Sequence, residues 1–405
     1  MDFALNDEQR SLVALMKEFC LREVDRKEMD RRADIPIPPN ATKEDLMNRM
    51  PWDLIGKAHD VGLRQLAVPT EYGGGGYNHT GGWVTLTAMA EAAGYYGGYT
   101  FARLMTLPWN HCVRLYTAPK NIQDVFFNNF MNNKRTLTAA SHSEPDAGSD
   151  MLVPYDDPSV GKVIAKQDGD YWIINGDKMF CSGGGVADYI TVTVRTDPTG
   201  PTKQSMTQFL VDTSAPGWSV SRVNDFSGNE IVSNVQMHFE NVRVHKSMMI
   251  TELNGAYKSL GSGIASKTIH FTASLGECQK VWEDIRDYAK MRIQGGKPIV
   301  QHPNIGALVA EGDLRLRADR NLIYRFAWEC DQEGPGALVD PLGFWYINYF
   351  HKETALRLIA IGFEVYAGLA ATKELGFERF VRCHQSFLHG GSTGQFNLVK
   401  AAKVL

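Results

Sequence analysis

The chain lacks a disulfide framework. Its six cysteines (Cys20, Cys112, Cys181, Cys278, Cys330 and Cys383) are scattered over 405 residues, and no two form a C-x-x-C pair. That argues against a zinc module or a secreted scaffold and for a reducing compartment. No block of one charge is present either. Lys and Arg number 42 against 46 Asp and Glu, for a formal net charge of -4, so nucleic acid is not an expected partner. No internal repeat, low-complexity tract or bilayer-length apolar run stands out, and no membrane partner is expected. The opening Met1-Asp2-Phe3-Ala4 lacks the basic-then-apolar pattern of a secretory leader, so a cytoplasmic location is expected. No Ser-His-Asp or metal-ligand grouping is evident, and no metal is expected.

What is there begins with a dense polar stretch from Leu137 to Gly185. L-T-A-A-S-H reads as a strand that ends in a polar turn at Glu144 to Asp150. Y-W-I-I and K-M-F-C flank Asn175-Gly176, and Asn-Gly between two β-rich runs predicts a hairpin there. Small hydroxyl residues (Ser143, Ser149, Ser182) and glycines would let backbone approach a flat ligand closely.

Around this stretch the periodicities change. Asn6 or Asp7 can cap a first helix with Leu12, Val13, Leu15, Met16 and Phe19 on one face. Asp30 to Lys43 reads as a loop, with helical signals from Glu44 to His59 and in three segments between Trp83 and Met131. Strands are expected at Tyr189 to Arg195, Met206 to Val211 and Val235 to Phe239. Beyond Thr251 come long helical runs, Ala256 to Arg292, Gly306 to Cys330 and Pro341 to Tyr366, then shorter ones at Phe377 to Leu388 and Gly394 to Leu405. Long amphipathic helices with short joints predict a bundle. The arginines of Asp313 to Arg320 alternate with acids and read as an ion-pair face.

S-E-P-D-A-G-S-D (Ser143 to Asp150) resembles the T-E-P-x-A-G-S-D signature of the acyl-CoA dehydrogenase family. N-G-D-K-M-F-C-S-G-G (Asn175 to Gly184) resembles its N-G-x-K-x-W-I-T-N-G strand. The resemblance runs through the whole chain in order, and V-P-T-E-Y-G-G resembles the family's structural P-x-E-Y-G-G loop. It implies the acyl-CoA dehydrogenase fold: a helical N-terminal domain (1–136), a central β-barrel-like domain (137–248) and a C-terminal four-helix bundle (249–405). It also implies FAD, an acyl-CoA substrate, an electron-transfer flavoprotein as electron acceptor, and a tetramer, homomeric or built with a related subunit.

By motif match, Ser143 and Ser182 take the places of threonines that meet the flavin ring. Phe180 stands for a tryptophan packed on it, and Ser149 matches the serine that the family places near the cofactor's or the substrate's phosphates. Ser for Thr keeps a hydroxyl donor. R-I-Q-G-G-K-P-I resembles R-x-x-F-G-x-P-I, whose Arg, here Arg292, reaches the FAD of a neighbouring subunit. E-V-Y-A-G-L-A keeps Gly368 of the family's Q-x-x-G-G-x-G, and Thr393 and Gln395 match its T-x-Q. Tyr95, Tyr96, Tyr99, Trp109 and His111 would either wall a bulky acyl pocket or pack between helices.

The proton-abstracting carboxylate is the departure. The Glu of the family's Y-E-G-T aligns with Gly391, and the alternative helical position holds Ser266. Three explanations stand. His389, two residues earlier, is the base, with Glu364 as another candidate. Or the reaction needs no α-proton abstraction, as in a desulfinating, lyase-like relative whose sequence H-K-S-M-M-I (His245 to Ile250) resembles. Or the chain is a non-catalytic partner subunit. The default expectation is α,β-dehydrogenation of a cyclic or bulky acyl-CoA.

Overall fold

The computed structural model describes residues 4–77, 81–151, 160–258, 264–333, 341–388 and 390–405. Helix α1 (Asp7–Glu23) starts where the sequence says it must. Asn6 accepts from the Gln9 amide at 2.8 Å, and the Gln9 side chain returns the bond to the Asn6 amide at 2.9 Å. The expected loop from Asp30 is shorter than its composition implies, because Asp25 caps a further helix, α2 (Arg26–Ala33). Pro51 splits the next helical stretch into α3 (Lys43–Arg49) and α4 (Trp52–Asp60). Helices α5 (Trp83–Ala92), α6 (Gly98–Tyr116) and α7 (Lys120–Asn132) follow, with a π-turn (Ala93–Gly97) joining α5 to α6.

The middle of the chain forms one curled sheet of β1 (Thr138–Ser141), β2 (Ile164–Asp168), β3 (Tyr171–Cys181), β4 (Tyr189–Arg195), β5 (Met206–Asp212), β6 (Trp218–Val223) and β7 (Val235–His245). Its order is β1-β4-β2-β3-β7-β6, with β5 paired to β4. The hairpin expected at Asn175-Gly176 is not there. The turn is Gly169-Asp170, and β3 runs straight through Asn175 and Gly176 with its register to β7 shifted. Gly176 takes φ 128 to accommodate that bulge, and Asn175 is held to Asn241 of β7. A local Asn-Gly signal thus yields to a long pairing partner.

Helices α8 (Ile264–Met291), α9 (Pro303–Glu333) and α10 (Pro341–Tyr366) pack together and are closed by α11 (Phe377–Phe387) and α12 (Gly394–Ala402). Contrary to the sequence expectation, one stretch, Pro341–Ala371, is long and apolar enough to cross a membrane by composition. Here α10 is a bundle helix, and it buries Asn348, His351 and Lys352. The six cysteines are free and buried.

Candidate active site

The end of β1 and the end of β3 meet at one face. The Met179 amide donates to the Ser143 carbonyl at 2.9 Å, which sets Ser143 beside Phe180. A second register shift, between Lys178 and Cys181, turns Phe180 out at φ 54. An aromatic residue in the left-handed region is strained, by roughly 1–3 kcal/mol, and such strain gathers at functional sites. The ring is 54% exposed and stacks on Phe226 at 6.4 Å, so a flat face is offered outward. Ser182, next along, accepts from Asn234 at 3.1 Å, which leaves its own proton to donate elsewhere. Two hydroxyls and an open aromatic face in one place fit the ring of FAD.

An ion pair that the sequence reading did not single out fixes this face. Lys178 and Glu144 are buried and 2.7 Å apart. Lys178 also donates to the His142 carbonyl at 2.9 Å, and Glu144 accepts from the Val163 amide at 3.3 Å. Both residues were legible only as letters of the family words.

The other expected cofactor residues are distributed differently. Ser149 lies on the same loop, in a 3-10 turn (Ser149–Met151). Arg292 is exposed at the end of α8, its backbone bonded to Tyr288 and Ile299, and Gly368 sits in the Ala367–Ala371 turn with open space around it. Neither is hydrogen-bonded to the sheet. Thr393 caps α12, accepting from the Phe396 amide at 3.3 Å, and Gln395 is exposed on its first turn. Of the aromatic residues, Trp109 is buried and donates to the Leu63 carbonyl at 2.9 Å, and Tyr95 donates to Glu283 at 2.6 Å. Both are tied to neighbouring elements by these bonds.

At the customary base positions the structure places no carboxylate. Ser266 is buried and donates to Asn110 at 3.2 Å. Gly391 adopts φ 70, and a side chain there would point towards Asn348. Both amide atoms of Asn348 are buried without a partner among the described residues. Beneath the loop, Lys352 donates to the carbonyls of Gly390 at 3.0 Å and Ser392 at 2.6 Å, and burial pushes its ammonium down to about 7. Glu364 is exposed towards the end of α10. His389 lies outside the described residues. His245, in the H-K-S-M-M-I stretch, bonds locally to Ser247 at 2.7 Å.

Ser392 stands where Y-E-G-T has glycine, and it is forced to φ 91. Ser392→Gly is therefore expected to raise stability by about 1 kcal/mol, net of its lost hydrogen bond from Asn397. A shift of the urea midpoint to higher concentration at unchanged slope would show it.

A Ser-His-Asp arrangement not evident in the sequence lies in the bundle. His351 is 2.7 Å from both Ser274 and Asp319. All three are fully buried, so the network is internal polar packing. Among the described residues no cluster of three His, Cys, Asp or Glu could hold a metal ion.

Comparison with known proteins gives the family. The N-terminal, middle and C-terminal domain models of acyl-CoA dehydrogenase match residues 6–115, 139–242 and 265–402. The chain is 27% identical to a 3-(aryl)acrylate reductase of Clostridium sporogenes, over 86% of this chain and 89% of that one. It is 25% identical to a cyclohexane-1-carbonyl-CoA dehydrogenase of Geobacter metallireducens, over 85% and 87%. The structure of butyryl-CoA dehydrogenase from Megasphaera elsdenii superposes with a TM-score of 0.85 at 20% identity, covering 100% of both chains. With three domain models in order and a face built for a flavin ring, the chain belongs to the acyl-CoA dehydrogenase family of FAD-dependent oxidoreductases.

Proposed function

We propose that this protein oxidises the α,β bond of a cyclic or otherwise bulky acyl thioester and passes electrons to an electron-transfer flavoprotein. The observation that carries the reading is the convergence of Ser143, Phe180 and Ser182 on one exposed face of a chain from this family. Relatives named for cyclohexane-ring acyl-CoAs support a bulky acyl group. Bound FAD would supply the two-electron acceptor. Ser143 and Ser182 would hold its ring by hydroxyl hydrogen bonds, Phe180 would cover one face, and Ser149 would approach its phosphates. Arg292, Gly368, Thr393 and Gln395 would act from a neighbouring subunit. Met291 (73% exposed) and Ile293 (56%) beside Arg292 support a covered face there.

Ser266 and Gly391 hold no base, so this reading takes the α-proton to a residue outside the customary positions. His389 is the acceptor in this reading, and Lys352 stiffens the loop from below. His389→Ala should slow substrate-dependent flavin bleaching by roughly a hundredfold to ten-thousandfold while FAD content stays unchanged. Unchanged bleaching would remove His389. Lys352→Met removes the lysine as a titrating group: an acidic limb that persists in its pH–rate profile is not the lysine's, and its further loss in His389→Ala would assign it. A flavin spectrum that shifts with acyl-CoA but never bleaches would point to the lyase-like chemistry instead.

A further inference from the structure

The segment between β6 and β7 (224–234) has both ends on the flavin face and its middle on helix α11. At the ends, Asn224 donates to Asn234 at 2.7 Å, and Asn234 donates to Ser182 at 3.1 Å. Phe226 stacks on Phe180, and the Gly183 amide donates to the Val232 carbonyl at 2.7 Å. In the middle, Gly228 lies against the backbone of α11. A Cβ there would overlap the Arg382 carbonyl and come within 2.6 Å of the Cys383 amide nitrogen, so only glycine permits the approach.

Asn229 and Glu230 fasten the contact. Asn229 takes φ 61, a conformation its short polar side chain tolerates. Its amino group donates to the Cys383 carbonyl at 3.0 Å and to Ser386 Oγ at 2.7 Å. Ser386 passes its own proton to the Cys383 carbonyl at 2.8 Å, which closes a three-membered ring of bonds. Glu230 accepts from Arg382 at 3.2 Å and from Arg379 at 3.4 Å. Ser386 is the last residue but one of α11, and the chain runs on from there into the 388–392 loop. On the far side, Lys352 holds the Gly390 and Ser392 carbonyls, which flank the customary position of the base.

The arrangement joins two places that the reaction must keep in register. Oxidation of an α,β bond takes hydride to the flavin and a proton to a base from adjacent carbons. The flavin face belongs to the sheet and the loop to the bundle, and a misplacement of about 1 Å between reacting groups can cost a hundredfold. We propose that Asn229 is a positioning residue: seated by Gly228 and Glu230, it fixes the end of α11, and through it the 390–392 loop, against the flavin face at Phe180 and Ser182. This deepens the proposed function and rests on it.

Asn229→Gly is the test, because glycine keeps the left-handed φ without strain and removes only the amide group. In the FAD-loaded variant, amide hydrogen exchange over Gly390 to Ser392 should quicken about tenfold. FAD content, acyl-CoA affinity and bleaching by dithionite, which needs no proton acceptor on the protein, should stay as in the wild type. Bleaching by acyl-CoA should slow by about tenfold to a hundredfold. Ser386→Ala removes one of the two acceptors and should slow it several-fold, although alanine is the better helix former. Unchanged exchange at the loop would overturn the proposal. Faster exchange with unchanged bleaching by acyl-CoA would overturn it too, and leave thioester oxidation intact. A loss of FAD or of acyl-CoA affinity in step with the slower bleaching would overturn it by placing Asn229 in the ligand seat alone. If the wild type never bleaches with acyl-CoA, the oxidation reading fails, and the exchange comparison alone decides whether Asn229 holds the loop.

Discussion

Lys178→Met should lower the unfolding free energy by about 3–5 kcal/mol and leave the purified protein largely without flavin. The size follows from what remains behind. Glu144 is 3% exposed, and its carboxylate would lose the one cationic partner it has among the described residues while buried. Removing one member of a buried ion pair costs about that much, because the other charge stays unanswered. Burial already pushes the Lys178 ammonium down and Glu144 opposes it, so the pair is held together by mutual need. The loss of flavin follows from position. Lys178 ties the His142 carbonyl, and through Glu144 the Val163 amide, to β3. Ser143 lies between His142 and Glu144 on that tether. Glu144→Gln in the Lys178→Met background should restore part of the stability, since the unanswered charge is gone. Urea unfolding of the wild type and the two variants, with flavin absorbance after desalting, checks both halves. A single-variant loss under about 1 kcal/mol would show that the pair is ornamental.

How much of this was legible in the sequence depends on the range of the interaction. Asn6 and Gln9 act over three residues, and their capping box could be read directly. Strands β4 and β5 announced themselves by alternation, and the long bundle helices by length. Ser143, Phe180 and Ser182 were readable through family words, and the structure brings them together. Asn175-Gly176 misled because its turn propensity is local, while eleven-residue strands β3 and β7 pair along nearly their whole length and absorb the dipeptide as a bulge. Helix α2 was missed because a charged, proline-flanked composition hid an Asp25 cap. Arg103, Thr106, Asn110 and Arg114 form a row on α6 whose middle members bond to His270 and Ser266 of α8, and this row left a different trace. Its 3–4 spacing was in the sequence, yet polar residues at that spacing ordinarily read as a solvated face. Only the placement of α8 against it shows that the face is inside. His351, Ser274 and Asp319 come from three helices and could not have been joined from spacing at all.

The second large effect is expected where α8 meets the π-turn. Gly94 and Gly276 touch the opposite backbone directly. A Cβ on Gly276 would overlap the Glu91 carbonyl oxygen and come within 2.7 Å of the Tyr95 amide nitrogen, and one on Gly94 would overlap the Ala273 carbonyl oxygen. Backbone atoms on both sides leave no flexible side chain to give way, so the helices themselves must separate. Overpacking usually costs 1–3 kcal/mol, and a clash with no outlet belongs in the tail above that range. Gly276→Val should therefore cost about 4 kcal/mol. It should also disturb function at a distance. Gly276 lies on the helix that presents Ser266 and His270, and Gly94 lies in the π-turn that leads into α6, the helix that carries Thr106 and Asn110. Pushing the two apart breaks the hydrogen bonds that hold Asn110 and Thr106 to α8, and a displacement of about 1 Å near a binding site can cost a hundredfold. Gly56→Ala is the matched control: it lies inside α4 with nothing within 4 Å of an added Cβ, and should stabilise by about 0.5–1 kcal/mol. If Gly276→Val melted no lower than Gly56→Ala and bound acyl-CoA unchanged, the α5–α8 crossing would be free to slide, and the polar row could not owe its geometry to those two glycines.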